Sequence, residues 1–68
     1  MTTAYRIKEL RESKGLTQDE LATISNVSRS IISQLETGVR KNSQADTLVR
    51  IASALGVTVS DIFLKTKV

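Results

Sequence analysis

The sequence has no cysteine and no histidine, and these two absences exclude much chemistry. Without cysteine the chain forms no disulfide and offers no thiolate ligand to a metal. Without histidine it lacks the commonest general base and the commonest metal ligand. The chain contains no disulfide-forming residue that would indicate an oxidising compartment, so we expect a cytoplasmic protein. We also expect it to have no cofactor and to bind no metal.

Aromatic residues and long apolar segments are also scarce. Tyr5 and Phe63 are the only aromatic residues, too few for a platform that stacks single-stranded bases. No apolar run approaches the ~20 residues of a membrane span. Residues 1–15 carry charges where a signal peptide would have an apolar stretch. We therefore expect neither a membrane partner nor an export signal.

Length and charge place the chain among small basic domains. Its 68 residues, of which 40% are hydrophobic, are enough for one modest core, so we expect a single domain over residues 1–68. Ten Lys and Arg residues against seven Asp and Glu residues give a net charge of +3. A charge this small also occurs in ordinary soluble proteins. It permits a polyanionic partner without indicating one.

Helix signals recur along the chain, and its only strand signal is a short β-branched run at 57–59. The capping-box pattern, Ser or Thr followed three residues later by an acid, stands at three predicted helix starts. The paired residues are Thr17 with Glu20, Ser43 with Asp46, and Thr58 with Asp61. We expect the hydroxyl of each pair to cap the start of a helix.

The same signals predict the bounds of five short helices in a compact all-α bundle. The predicted helices run from about Thr3 to Lys14, from after Thr17 to about Ser25, from the cap Ser28 to about Glu36, and from after Ser43 to about Leu55, and a short fifth helix follows Thr58. Gly15, Asn26, Gly38 and Gly56 stand where the first four would end.

The stretch from Gln18 to Thr37 predicts two short helices that meet through a tight turn. Its apolar positions are Leu21, Ala22, Val27, Ile32 and Leu35, and Ala22 is small enough for two helices to approach closely. This pattern is typical of a helix-turn-helix, whose second helix enters the major groove of DNA by its N-terminal residues.

Four motifs, taken together and in order, resemble the Cro/repressor-type (XRE-like) helix-turn-helix family. They are R-I-K-E-L-R at 6–11, G-L-T-Q-D-E-L-A at 15–22, V-S-R-S-I-I-S-Q-L-E-T-G at 27–38, and L-V-R-I-A-S-A-L-G-V at 48–57. The resemblance implies a lambda-repressor-like fold, as in phage repressors, restriction–modification controllers and antitoxins. The chain departs from the family at Ser25, usually apolar, at Asn26, usually Gly, and in the loop 39–43, which lacks the usual Pro.

The resemblance also implies which residues meet DNA. It assigns base contacts to Arg29, Ser30, Ser33 and Gln34, and phosphate contacts to Gln18 and to the helix cap Ser28. The apolar positions agree, because they bury the opposite side of the third helix. An arginine side chain is suited to hydrogen bonding with guanine and a glutamine side chain with adenine, whereas serine can bond to any base edge. The alternative is that these polar residues are merely solvated.

Two further groups flank this predicted reading face. The loop residues Arg40, Lys41 and Asn42 follow the third helix, and we expect them to contact phosphates rather than to be an ordinary solvated charge group. Arg11 and Glu36 match a pair that links the first and third helices in similar proteins. We expect this pair to orient the reading helix, the alternative being a surface pair worth little.

The C-terminal segment 57–68 has more apolar residues than one small core easily buries. We expect part of it, namely Val59, Phe63 and Leu64, to form a two-fold dimer surface. The competing interpretation packs all of these side chains inside the monomer. For Ile31, beside the reading face, we favour packing against a neighbouring helix over contact with a thymine methyl group.

These observations predict a sequence-specific regulator of transcription, a repressor that binds double-stranded DNA at a palindromic operator as a homodimer. Controllers and antitoxins of the same fold remain alternatives, as does a helical protein-interaction module without DNA binding. An enzyme is not expected, because the acidic candidates Glu20, Asp46 and Asp61 read as helix caps and Asp19 as a first-turn charge. We predict no small-molecule ligand.

Overall fold

Five helices make up most of the residues that the computed structural model describes, 5–39 and 44–63. They are α1 (Ile7–Ser13), α2 (Gln18–Ser25), α3 (Arg29–Thr37), α4 (Ala45–Leu55) and α5 (Val59–Ile62). The predicted all-α class and helix-turn-helix are confirmed, and the described residues pair as strands only in an isolated bridge between Tyr5 and Phe63. Within these ranges, no helix has the length and apolar character needed to cross a membrane.

Two of the three predicted capping boxes form. The Thr17 hydroxyl accepts from the Glu20 amide at 3.1 Å, and the Glu20 carboxylate accepts from the Thr17 amide at 2.8 Å. Likewise, the Thr58 hydroxyl accepts from the Asp61 amide at 3.2 Å, and the Asp61 carboxylate accepts from the Thr58 amide at 3.0 Å. Each reciprocal pair satisfies backbone donors that have no partner inside the helix.

The predicted cap of α4 is wrong. The N-cap is Gln44, whose side chain makes no capping hydrogen bond, and the predicted cap Ser43 lies outside the described residues. Asp46 is consequently the second residue of the helix rather than the third. From there its carboxylate pairs with Arg50 one turn later, at 3.0 Å.

The predicted start of α1 is also wrong, because the helix begins at Ile7 instead of Thr3. The backbone before it is held against α5. Tyr5 bridges Phe63, and the Arg6 amide donates to the Ile62 carbonyl at 2.6 Å. A long-range contact of this kind overrides the local helix signal at the N-terminus.

The core lies where the helices meet and fixes the rotation of each one. Its fully buried side chains are those of Ile7, Leu21, Ile32, Leu35, Ile51, Leu55 and Ile62. Burying one such side chain is worth about 1.5–3 kcal/mol. Ile31 is partly buried against this cluster, which favours its predicted packing role.

The turn between α2 and α3 accommodates both departures from the family pattern. Asn26 adopts the left-handed conformation, with φ 57° and ψ 38°, which asparagine tolerates better than most residues. Ser25 is buried where an apolar residue is usual, and its hydroxyl donates to the Leu21 carbonyl at 2.6 Å. No polar atom of the Ser25 side chain is therefore left without a partner.

Candidate nucleic-acid interface

Helix α3 presents a polar face because its other face is committed to the core. The Ser28 hydroxyl caps the helix by accepting from the Ile31 amide at 3.2 Å. Ile32 and Leu35 are fully buried one turn further along. Arg29 and Ser30 are consequently exposed in the first turn of the helix.

One open groove of about 320 Å³ collects residues from two helices. It is lined by Gln18 at the start of α2 and by Arg29, Ser30, Ser33 and Gln34 of α3. The structure thus brings together all four residues predicted to contact bases and one residue predicted to contact phosphate. Their contacts with DNA stay a prediction, while their clustering is an observed feature of the fold.

A buried ion pair joins α1 to α3 behind this groove. Arg11 donates to the Glu36 carboxylate through Nε at 2.8 Å and through Nη2 at 3.1 Å, and its Nη1 donates to the Leu16 carbonyl at 2.6 Å. The side chains of Arg11 and Glu36 are only 10% and 2% exposed, so this is not a surface pair. The hydrogen bond with Glu36 raises the pKa of Arg11 above its ordinary value.

Gln18 extends this pair into a network that also includes α2. Its amide nitrogen donates to Glu36 Oε1 at 3.0 Å. An amide NH₂ group carries two donor hydrogens, so this bond does not use the full donor capacity of Gln18. Gln18, which is predicted to contact a phosphate, therefore also supports the reading helix through its hydrogen bond to Glu36. The sequence pattern did not reveal this second role.

Arg29 has a partner that the sequence pattern also did not reveal. Its Nε lies 3.2 Å from Oδ1 of Asp19 in the first turn of α2, and the two side chains are 63% and 76% exposed. The sequence pattern indicates Asp19 only as a first-turn charge. In the structure, the pair connects the starts of the two helices of the motif.

The remaining predicted site residues fall into two groups. Arg40, Lys41, Asn42 and Leu64 lie outside the described residues. Of the predicted dimer surface, Val59 is partly buried against the core, whereas Phe63 is 44% exposed and lies with its ring 5.6 Å from that of Tyr5. Within the described ranges, no three His, Cys, Asp or Glu side chains cluster in a way that could hold a metal ion.

Residues 7–62 match the model of the HTH_3 family, described as helix-turn-helix. The chain belongs to this family. The match covers all five helices and the whole groove. It confirms the predicted family resemblance and agrees with the prediction that this domain is not an enzyme.

Regulators are among the similar proteins. The immunity repressor of Bacillus phage phi105 is 44% identical over 62 residues, which cover 91% of this chain and 42% of the phage protein. The restriction-modification controller C.AhdI from Aeromonas hydrophila superposes with a TM-score of 0.77 at 36% identity, covering 82% of this chain and 83% of that one. The biofilm regulator SinR, in a crystal structure with DNA, gives a TM-score of 0.79 at 33% identity, covering 81% and 87%.

The chain spans about half the length of curated relatives such as the phage repressor. The shared part is the helix-turn-helix domain.

Proposed function

We propose that this chain is a sequence-specific DNA-binding domain of a transcription regulator, and that it acts as a repressor in the cytoplasm. The observation that carries the proposal is the groove at the start of α3. There Arg29, Ser30, Ser33 and Gln34 stand beside Gln18 on one open surface. Such a polar surface, next to the N-termini of two helices, suits a polyanion whose base edges offer hydrogen bonds.

The residues in and beside the groove make two kinds of contact with DNA, to bases and to phosphates. Arg29 reads guanine, Gln34 reads adenine, and Ser30 and Ser33 permit close approach to the base edges. Gln18 and Ser28, at the starts of α2 and α3, contact phosphates. Base contacts provide the preference for one sequence, and phosphate contacts fix the register on the duplex.

The loop after α3 adds sequence-independent affinity. Arg40, Lys41 and Asn42 follow the end of the reading helix after two intervening residues in the chain. Each phosphate that such residues neutralise releases counterions, which makes binding depend on salt. The net charge of +3 supports this electrostatic contribution.

The chain binds a palindromic operator as a homodimer. One module of this size reads only a few base pairs, so a second copy is needed for a useful specificity ratio. The dimer surface includes Val59, Phe63 and Leu64, and the 44% exposure of Phe63 supports its inclusion. Two-fold symmetry of the protein then requires two-fold symmetry of the site.

A second candidate function is control of a restriction–modification system. The observation that favours it is the likeness to C.AhdI, of which this chain covers 83% at 36% identity. The two candidates share the same DNA chemistry and differ in the genes that they regulate.

The test is selection of bound sequences from a library of random duplex DNA, followed by binding measurements on the enriched duplex. We expect one enriched site with two-fold symmetry and a guanine whose replacement weakens binding. Enrichment of no sequence would contradict the proposal and favour a protein-interaction module. Enrichment of a single half-site would contradict only the homodimer.

A further inference from the structure

Arg29 occupies an electrostatically unfavourable position. It is the first residue of α3, where the unpaired backbone N–H groups carry partial positive charge and disfavour a cation. The first turn of α3 contains no acidic residue. The compensating carboxylate comes from another helix, because Asp19 Oδ1 lies 3.2 Å from Arg29 Nε.

We propose that Asp19 is a positioning residue that determines how strongly Arg29 discriminates among bases. This inference rests on the proposed function, in which Arg29 reads guanine. Because Arg29 Nε lies 3.2 Å from Asp19 Oδ1, the two terminal nitrogens of the guanidinium remain to donate the parallel pair of hydrogen bonds to guanine O6 and N7. Asp19 thereby limits the orientations of a long side chain that is 63% exposed.

The same carboxylate weakens binding to the wrong sequences. A guanidinium without a partner readily binds any phosphate, and that contact carries no sequence information. Asp19 competes with phosphates for Arg29 and so weakens this sequence-independent contact. Positioning and competition both act through Arg29, and both raise the ratio of specific to non-specific affinity.

The experiment compares Asp19→Ala with Glu9→Ala as a matched control. Glu9 is also an exposed acid paired with an arginine Nε, that of Arg6 at 2.9 Å, but Arg6, unlike Arg29, is not among the residues that line the groove. The probes are the duplex enriched by the wild-type chain, its three single-base-pair variants at each position, and a scrambled duplex. Thermal unfolding verifies that both variants fold.

We expect Asp19→Ala to lower the ratio of specific to scrambled affinity about three- to tenfold, a coupling typical of residues in contact. The loss should be confined to the base pair that Arg29 reads, and affinity for the scrambled duplex should not fall. Asp19→Asn keeps an oxygen acceptor without the charge and should give a smaller loss. Glu9→Ala should leave the ratio unchanged.

The decisive comparison is made in an Arg29→Ala background. There Asp19→Ala should leave the specificity ratio unchanged, because the residue that it positions is gone. An equal effect in both backgrounds would overturn the inference, as would an unchanged ratio for Asp19→Ala alone. In those cases a base-specific loss on Arg29→Ala would still uphold the proposed function, so the two failures are distinguishable.

Discussion

Glu36 on α3 accepts two hydrogen bonds from Arg11 on α1, at 2.8 and 3.1 Å, and a third from Gln18 on α2, at 3.0 Å. A single buried carboxylate thus connects α1, α2 and α3 just behind the groove. Removing one partner of such a pair leaves a buried charge uncompensated, which costs far more than an exposed pair contributes. The arrangement therefore fixes the angle at which the reading helix is presented.

We expect Glu36→Ala to lower the free energy of unfolding by about 3–5 kcal/mol, because the buried guanidinium of Arg11 would lose the carboxylate to which it donates two hydrogen bonds. Chemical denaturation measures the change. Glu9→Ala, which breaks the exposed pair with Arg6, should cost far less, because solvent screens an exposed pair. Equal losses for the two variants would show that the buried pair has no special role in stability.

Arg29→Ala should weaken binding to the enriched duplex by about 1–3 kcal/mol and relax the preference at one base pair in each half-site. Thermal stability should barely change, because an exposed side chain in the first turn contributes little to folding. Arg29→Lys should restore the charge without the full base preference, since lysine lacks the planar fork. Binding titrations over all four base pairs at each operator position report both effects.

A loss of affinity that is the same for every sequence would instead identify Arg29 as a phosphate contact. The assignment of the groove as a base-reading surface would then be wrong.

Arg40→Ala and Lys41→Ala should each weaken binding to the enriched and scrambled duplexes alike. Each should also reduce the slope of log affinity against log salt by about one, because one phosphate is no longer neutralised. Titrations at several salt concentrations measure the slope. Unchanged affinity together with an unchanged slope would show that the loop points away from the DNA.

Phe63→Asp should convert a dimer into a monomer, because it places a charge in the proposed two-fold surface. Sedimentation of the wild-type and variant chains at tens of micromolar tests this. Val49→Asp is the matched control, because Val49 is likewise an exposed apolar residue but lies on α4, outside that surface. A wild-type chain that remains a monomer both free and on its operator would exclude the homodimer.

Much of this fold follows from local signals that the chain carries in its sequence. The boxes at Thr17 and Thr58 and the cap at Ser28 start helices where predicted, because each satisfies its bonds within three residues. The spacing of Ile32 and Leu35 then determines which side of α3 is buried. The polar residues on the outward face of α3 could be identified from that periodicity together with the family resemblance.

Only the tertiary structure decided the contacts between helices. The start of α1 depends on the bridge from Tyr5 to Phe63, which lies at the other end of the described chain. The pairing of Asp19 with Arg29 depends on how α2 crosses α3. Local periodicity specifies the outward face of each helix, but the crossing geometry, set by how the buried side chains pack, determines which exposed side chains meet.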